Sequence, residues 1–222
     1  MPEPDDTTAD SDASGNGDTN ATTNTESTLV MTPGRLEAFS DAVIAIAITI
    51  MVLELKVPHD ATIHALRPLV PVFLSYVLSF VYLGIYWNNH HHLIKRTHEV
   101  TGGILWANLH LLFWLSLFPF ATAWVGENDF ATTPVAIYGV VLLCAGSAYY
   151  VLQTVIVRHE GPDSAIARAL GRDWKGKLSP ILYAMAIGLA FVDRWIAVAI
   201  YMLVAVMWLV PDRRLERRFR AA

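Results

Sequence analysis

Residues 35–57 read RLEAFSDAVIAIAITIMVLELKV, and this apolar stretch, which stops before Pro58, decides the fold. As an α-helix the segment is about 34 Å long, enough to cross a hydrocarbon core of about 30 Å. A proline cannot continue the helix, so Pro58 marks its outer limit. The segment therefore predicts a membrane-spanning helix and a protein that folds within a bilayer.

More apolar stretches follow this helix along the chain. Their approximate ranges are 68–94, 104–126, 132–157 and 178–210. Pro119 should kink the third span, because its ring removes a backbone hydrogen bond. The last stretch is too long for one span and is interrupted at Asp193 and Arg194, which favours a hairpin of two short spans. The sequence thus predicts an all-α polytopic membrane protein with six transmembrane helices per subunit.

The distribution of basic residues tests this topology. With the N-terminus in the cytoplasm, thirteen of the 16 Lys and Arg residues fall on the inside, and only Lys56, Arg67 and Arg194 fall outside. Cytoplasmic segments of membrane proteins are enriched in Lys and Arg. We therefore expect a multi-pass protein of the cell membrane with both termini in the cytoplasm.

The composition separates two tails from the hydrophobic body. Residues 1–30 hold seven acidic side chains and no Lys or Arg, so we expect a disordered acidic tail. The six-helix transmembrane domain is expected at 31–211, and a basic cytoplasmic tail at 212–222. The net charge of −4 excludes a nucleic-acid binder, and the single cysteine, Cys144, excludes a disulfide framework.

Polar groups inside the apolar helices are the candidate functional residues. Asp41 lies about 9 Å along the first helix, where burial of its charge requires a partner or water. The end of the second helix and the start of the third lie at the same depth and carry polar side chains. We expect a structural network here that satisfies these groups. Its members are Arg35, Phe39, Ser40, Asp41, Trp87, His90, His91 and Asn108.

Three consecutive histidines, His90, His91 and His92, raise the question of a metal site, but their spacing disfavours it. Successive helical residues point about 100° apart, so all three cannot face one ion. The sequence also contains no nucleophile with its base, no phosphate-binding glycine loop and no catalytic carboxylate pair. We therefore assign no metal, no cofactor and no catalytic residue. A membrane enzyme or haem protein that uses these histidines and His110 remains a minor alternative.

The middle of the first helix is uncharged and carries one regular stripe. Ile46, Thr49, Ile50 and Leu53 share a face because they follow the spacing of three, four and seven residues. Periodicity alone favours an ordinary buried or lipid-facing stripe for these side chains.

The first helix also carries a recognisable motif. Arg35, the triplet Phe39-Ser40-Asp41 and Ala45 together resemble the signature of the transmembrane protein 175 family, which is known for lysosomal and prokaryotic potassium channels. The Trp-Asn-Asn-His run at 87–90 and the Leu-Phe-Pro-Phe run at 117–120 are similar to family features as well. The resemblance covers about residues 35–211 and leaves the acidic tail unexplained.

This resemblance implies a homotetramer in which the first helix of each subunit lines a central pore. It places Ile46 at a hydrophobic constriction, with Ile50 and Leu53 one and two turns further out, and Thr49 in a hydroxyl layer that favours potassium. The implied function is a potassium-permeable cation channel with a hydrophobic gate. Its partners would be potassium ions, the lipid bilayer and copies of itself. Because the sequence lacks a TVGYG carbonyl filter, only a modest preference for potassium over sodium is expected.

A secondary transporter is the main alternative. In it, Asp41 and a nearby histidine would relay an ion or a proton through the membrane. Transporters are commonly built from inverted repeats with broken helices near the midplane. The sequence has no evident internal symmetry, so the channel is favoured.

Overall fold

The computed structural model describes residues 31–170 and 174–210, and the described chain is helical apart from short connections. The predicted acidic tail at 1–30 and the predicted basic tail at 212–222 lie outside the described residues. The helices are α1 Pro33–Leu53, α2 Val70–Ile94, α3 Gly102–Ser116, α4 Phe118–Glu127, α5 Thr132–Glu160, α6 Ala165–Leu170, α7 Trp174–Leu189 and α8 Arg194–Leu209. A 3-10 helix, Ile63–Leu69, leads directly into α2. The all-α prediction is confirmed for this part of the chain.

Four helical stretches of the described chain are long and apolar enough to cross a membrane. They are Pro33–Leu53, Ile63–Ile94, Gly102–Glu127 and Thr132–Glu160. The predicted hairpin near the C-terminus is present as α7 and α8, which pack against each other. Asp193 separates them, and its side chain accepts a hydrogen bond of 2.8 Å from the backbone N–H of Trp195 at the start of α8. The α8 helix is apolar but shorter than the four spans, so a count of six remains a prediction.

A capping signal in the sequence marks the start of helix α1. The Thr32 side chain accepts from the Arg35 N–H, and Pro33 occupies the first turn, where its missing N–H costs nothing. The helix ends at Leu53, four residues before the predicted end at Val57. Pro58 pushes only Val57 out of the helical region and so sets the outer limit of the helix, whereas the chain already turns at Glu54.

The third span is divided where the sequence predicts a kink. Helix α3 ends at Ser116, and α4 begins at Phe118, with Leu117 between them. Pro119 lies in the first turn of α4 and has no N–H to donate back into α3. The predicted kink therefore coincides with this break between α3 and α4.

The packing of these helices places α1 at one side of the described bundle. It contacts α2, α3 and α4, whereas α5 packs against α3, α4, α7 and α8. The core between them is rich in aromatic rings whose centroids lie about 6 Å apart. These rings belong to Tyr82, Tyr86, Phe118, Tyr138, Tyr183 and Tyr201. The Tyr82 hydroxyl donates to the Tyr201 carbonyl at 2.6 Å, so this buried hydroxyl has its partner within the aromatic core.

Candidate functional site

Helix α1 has one face buried by its neighbours and one uncovered face. The buried residues are Leu36, Ser40, Ile44, Ala47 and Met51. On the opposite side the exposed fraction is 56% for Ile46, 42% for Ile50 and 77% for Leu53. Thr49 is exposed on the same side. The four residues of the predicted stripe therefore form a continuous uncovered face, which we call the α1 open face.

A chain of hydrogen bonds fastens the buried face of α1 to the helices behind it. The Ser40 hydroxyl donates to the Leu36 carbonyl at 2.8 Å and accepts from the Asn108 side-chain amide at 2.9 Å. The Asn108 amide oxygen lies 2.7 Å from His90 Nε2. As the amide is oriented, His90 Nε2 carries the proton and donates to it. Ser40, His90 and Asn108 are fully buried, so this polar chain joins α1, α2 and α3 inside the protein.

Glu37, Asp41 and His91 form a second polar group beside this chain. Glu37 Oε1 lies 2.5 Å from His91 Nδ1, a close contact that joins α1 to α2. Asp41 does not enter the hydrogen-bonded chain, since its Oδ1 is buried without a hydrogen-bond partner among the described residues. Sequence reasoning missed Glu37. Its spacing of four residues from Asp41 was the available signal, because it places both carboxylates on one face of the helix.

The remaining residues of the predicted network lie at its edge. Arg35 is exposed, the exposed fraction of Phe39 is 49%, and that of Trp87 is 45%. The Trp87 ring lies 6.0 Å from the His91 ring, centroid to centroid. The structure thus brings Ser40, His90 and Asn108 together in the interior, and leaves Arg35, Phe39 and Trp87 with uncovered surface.

A second buried polar group lies between α2, α4 and α5 and was not predicted from the sequence. The Thr122 hydroxyl lies 2.6 Å from Ser79 Oγ and 2.6 Å from the Phe118 carbonyl oxygen. Ser79 Oγ lies 2.9 Å from the Tyr138 hydroxyl. These contacts link α2, α4 and α5. Hydroxyl groups in otherwise apolar spans must find hydrogen-bond partners. Ser79 and Thr122 lie in such spans, so this requirement could have predicted a buried polar group that includes them.

One protein-family model matches part of the chain. The model described as the endosomal/lysosomal potassium channel TMEM175 matches residues 35–119, which include nearly all of α1 and the whole of α2 and α3. The matched range contains the motif of α1, the buried chain from Ser40 to His90 and the α1 open face.

Relatives match over a greater length. The chain is 53% identical over 190 residues to a protein of Chryseobacterium sp. named a potassium channel, covering 86% of this chain and 99% of the relative. A protein of Streptomyces collinus with the same description is 32% identical, covering 79% and 90% of the two chains.

A solved structure has a similar fold. It is the crystal structure of a lysosomal potassium-selective channel TMEM175 homolog from Chamaesiphon minutus, with a TM-score of 0.70 and 28% identity. The similarity covers 80% of this chain and 96% of that one.

Proposed function

Because the chain belongs to the TMEM175 family of ion channels, we propose that it forms a potassium-permeable cation channel in the cell membrane, with a pore lined by α1. The family consists of channels and not of enzymes. The observation that carries the proposal is the α1 open face, which is apolar apart from one hydroxyl and lies opposite the buried contacts of the same helix.

The coverage of α1 supports its place at a subunit interface. It packs against three helices, yet only 28% of its apolar span is buried, and the span Ile63–Ile94 is similarly uncovered at 22%, compared with 50% for Thr132–Glu160. The uncovered part needs lipid, another copy of the chain or a pore beside it. We propose a homotetramer in which four α1 helices surround one axis, because that arrangement turns four open faces toward a shared lumen.

The side chains of the α1 open face then act as the gate. Four Ile46 side chains around an axis form an apolar collar that excludes a hydrated cation, and a small outward movement of the helices wets it. Ile50 and Leu53 add apolar layers about 6 Å and about 10 Å further along the axis. The barrier is therefore one of dehydration, and it depends on how far apart the four helices stand.

Thr49 is the polar layer between these apolar rings. Its hydroxyl donates to the Ile46 carbonyl at 2.9 Å, so the lone pairs of the oxygen stay available to an ion. One hydroxyl per subunit replaces little of the hydration shell of a cation. We therefore propose a modest preference for potassium over sodium, without the selectivity that a stack of backbone carbonyls provides.

The buried chain of Ser40, Asn108 and His90 would fix how α1 is rotated. Because it fastens the buried face of α1 to α2 and α3, it determines which residues remain on the opposite side. We place this end of the bundle and both termini in the cytoplasm, with α7 and α8 as the fifth and sixth spans, because thirteen of 16 basic residues then lie inside.

The test is potassium flux into proteoliposomes that contain the purified full chain, beside Ile46→Asn. A polar side chain at the collar lowers the dehydration barrier, and a reduction of only about 1.4 kcal/mol raises the flux about tenfold. The matched control is Ile181→Asn on α7, because Ile181 has nearly the same exposed fraction, 58%. We expect Ile46→Asn to raise uncoupled potassium flux and the control to leave it at the wild-type level.

Other outcomes reject parts of the proposal. Equal effects of the two substitutions would place Ile46 outside the lumen. Flux that saturates and follows an imposed proton or sodium gradient would establish a transporter instead, with Asp41 and a histidine as the relay.

A further inference from the structure

Three potential metal ligands meet between α1 and α2, next to the buried chain of Ser40, Asn108 and His90. One carboxylate oxygen each of Glu37 and Asp41 and one ring nitrogen of His91 all lie within 4.8 Å of one another. Glu37 and Asp41 are one helical turn apart on α1, whereas His91 comes from the end of α2. From this geometry we infer a binding site for a divalent transition-metal ion that joins the two helices.

The electrostatics of the group call for a cation. Asp41 Oδ1 is buried and lacks a hydrogen-bond partner in the described chain, which is a costly state for a carboxylate oxygen. Glu37 adds a second carboxylate, and His91 is the imidazole that faces both. A bound ion would place positive charge beside the unpartnered carboxylate of Asp41 and would neutralise the two carboxylates together.

The ligand types select among ions. Carboxylate oxygen with imidazole nitrogen suits zinc, cobalt, manganese and iron, whereas magnesium and calcium prefer oxygen ligands alone. Zinc bonds to these atoms are about 2.0–2.2 Å long, so neighbouring ligand atoms lie about 3–4 Å apart around the ion. The short Glu37–His91 contact must therefore open slightly, while Asp41 moves slightly inward. His91 would bind through Nδ1 in its neutral form, with its proton on Nε2.

Access to the site is open from one side. The exposed fraction of the side chain is 18% for Glu37 and 27% for His91. An ion can thus enter from solution, and water can complete its coordination after three protein ligands. Such a site binds reversibly. It acts as a clamp, because an ion that binds only when α1 and α2 are packed together stabilises that arrangement.

The test uses the untagged full chain in detergent, stripped with a chelator and titrated with Co²⁺, whose visible absorption reports coordination. We expect one Co²⁺ per chain, displaced by Zn²⁺. Glu37→Gln and His91→Gln should each lower the Co²⁺ affinity about tenfold or more, since each removes a direct ligand. The matched control is His92→Gln, because His92 is the adjacent, exposed histidine outside the ligand group. The Co²⁺ affinity of this control variant should equal that of the wild type.

A second measurement guards against a folding defect in a variant. Zn²⁺ should raise the thermal midpoint of the wild type and of His92→Gln, but not that of the two ligand variants, provided that all elute at the wild-type position. If one ligand variant elutes at a different position, the Co²⁺ affinity and thermal midpoint of the other ligand variant decide the test. Absence of Co²⁺ binding at 100 times the protein concentration, or binding that both ligand variants retain at wild-type affinity, would overturn the inference. Because binding is measured without ion flux, this result and that of the channel experiment are independent.

Discussion

At the scale of single residues, the Asn108 side chain on α3 is hydrogen-bonded to polar side chains of both α1 and α2. Its amide donates to Ser40 on α1 and its oxygen meets His90 on α2. All three side chains are fully buried, so none can exchange its partner for water. The orientation of α1 therefore depends on groups that have no contact with the proposed pore.

Replacing Asn108 tests this role. Asn108→Ala leaves the buried groups of Ser40 and His90 with one partner fewer each, and we expect a loss of about 1–3 kcal/mol in stability. The measurement is the thermal midpoint of the purified protein in detergent. The matched control is Asn88→Ala, because Asn88 is exposed on α2. A thermal midpoint lowered equally by both substitutions would show that the buried hydrogen bonds contribute no more to stability than an exposed asparagine does.

Thr49 allows a prediction about selectivity. Thr49→Val keeps the shape of the side chain but removes its hydroxyl, so the potassium preference over sodium should fall toward unity while flux persists. Flux into proteoliposomes with the two cations measures it. The matched control is Thr154→Val on α5, because the Thr154 hydroxyl also donates to a carbonyl of its own helix, that of Tyr150 at 2.7 Å. An unchanged preference in Thr49→Val would remove the hydroxyl layer from the mechanism.

At the scale of helices, α2 and α4 approach each other so closely that only glycine fits at one position. A Cβ atom added at Gly126 would lie 2.7 Å from the Val72 Cα and 2.6 Å from Ser75 Oγ. The backbone of α2 cannot retreat without losing its other contacts. This close approach is typical of helix pairs in membranes, where small residues permit backbone packing.

Gly126→Ala should therefore separate α2 from α4. We expect a loss of about 1–3 kcal/mol, as for other insertions into a packed interior, seen as a lower thermal midpoint. Gly188→Ala on α7 is the matched control, because a Cβ atom there meets open space. Its midpoint should stay the same or rise slightly, since alanine favours the helix. A stable Gly126→Ala protein would mean that α2 and α4 can shift apart without cost.

At the scale of the whole molecule, one chain leaves large apolar side chains uncovered on several helices. The α1 open face is one such surface, and the outward faces of α7 and α8 are others. Lipid can cover the outer faces, whereas the proposed pore needs four copies of α1.

The assembly prediction follows from that difference. We expect a protein mass of four times 24.6 kDa by light scattering after subtraction of the detergent. On a Cys144→Ser background, which is free of cysteine, Ile46→Cys should link subunits through a short thiol reagent, and Ile181→Cys on the outer face should not. A monomeric mass, or equal linking by both variants, would reject the central position of α1.

The sequence by itself determined the helices and their interruptions. The uncharged span of α1, the break before Pro119 and the separation of α7 from α8 at Asp193 could all be predicted, because hydrophobic length, proline and capping act over a few neighbouring residues. Individual helix ends were predicted less well, since α1 ends at Leu53 instead of Val57 and α7 begins at Trp174, before the apolar stretch that starts near 178.

Only the tertiary structure decided which polar side chains meet. Ser40 and Asn108 are 68 positions apart, and Tyr82 reaches Tyr201 across 119 positions. The depth of a residue along its helix could be predicted from the sequence, but the rotation of a helix about its axis depends on packing against all of its neighbours at once. That rotation turns Ser40 inward, brings Glu37 and Asp41 to His91, and leaves Ile46 on the uncovered side of α1.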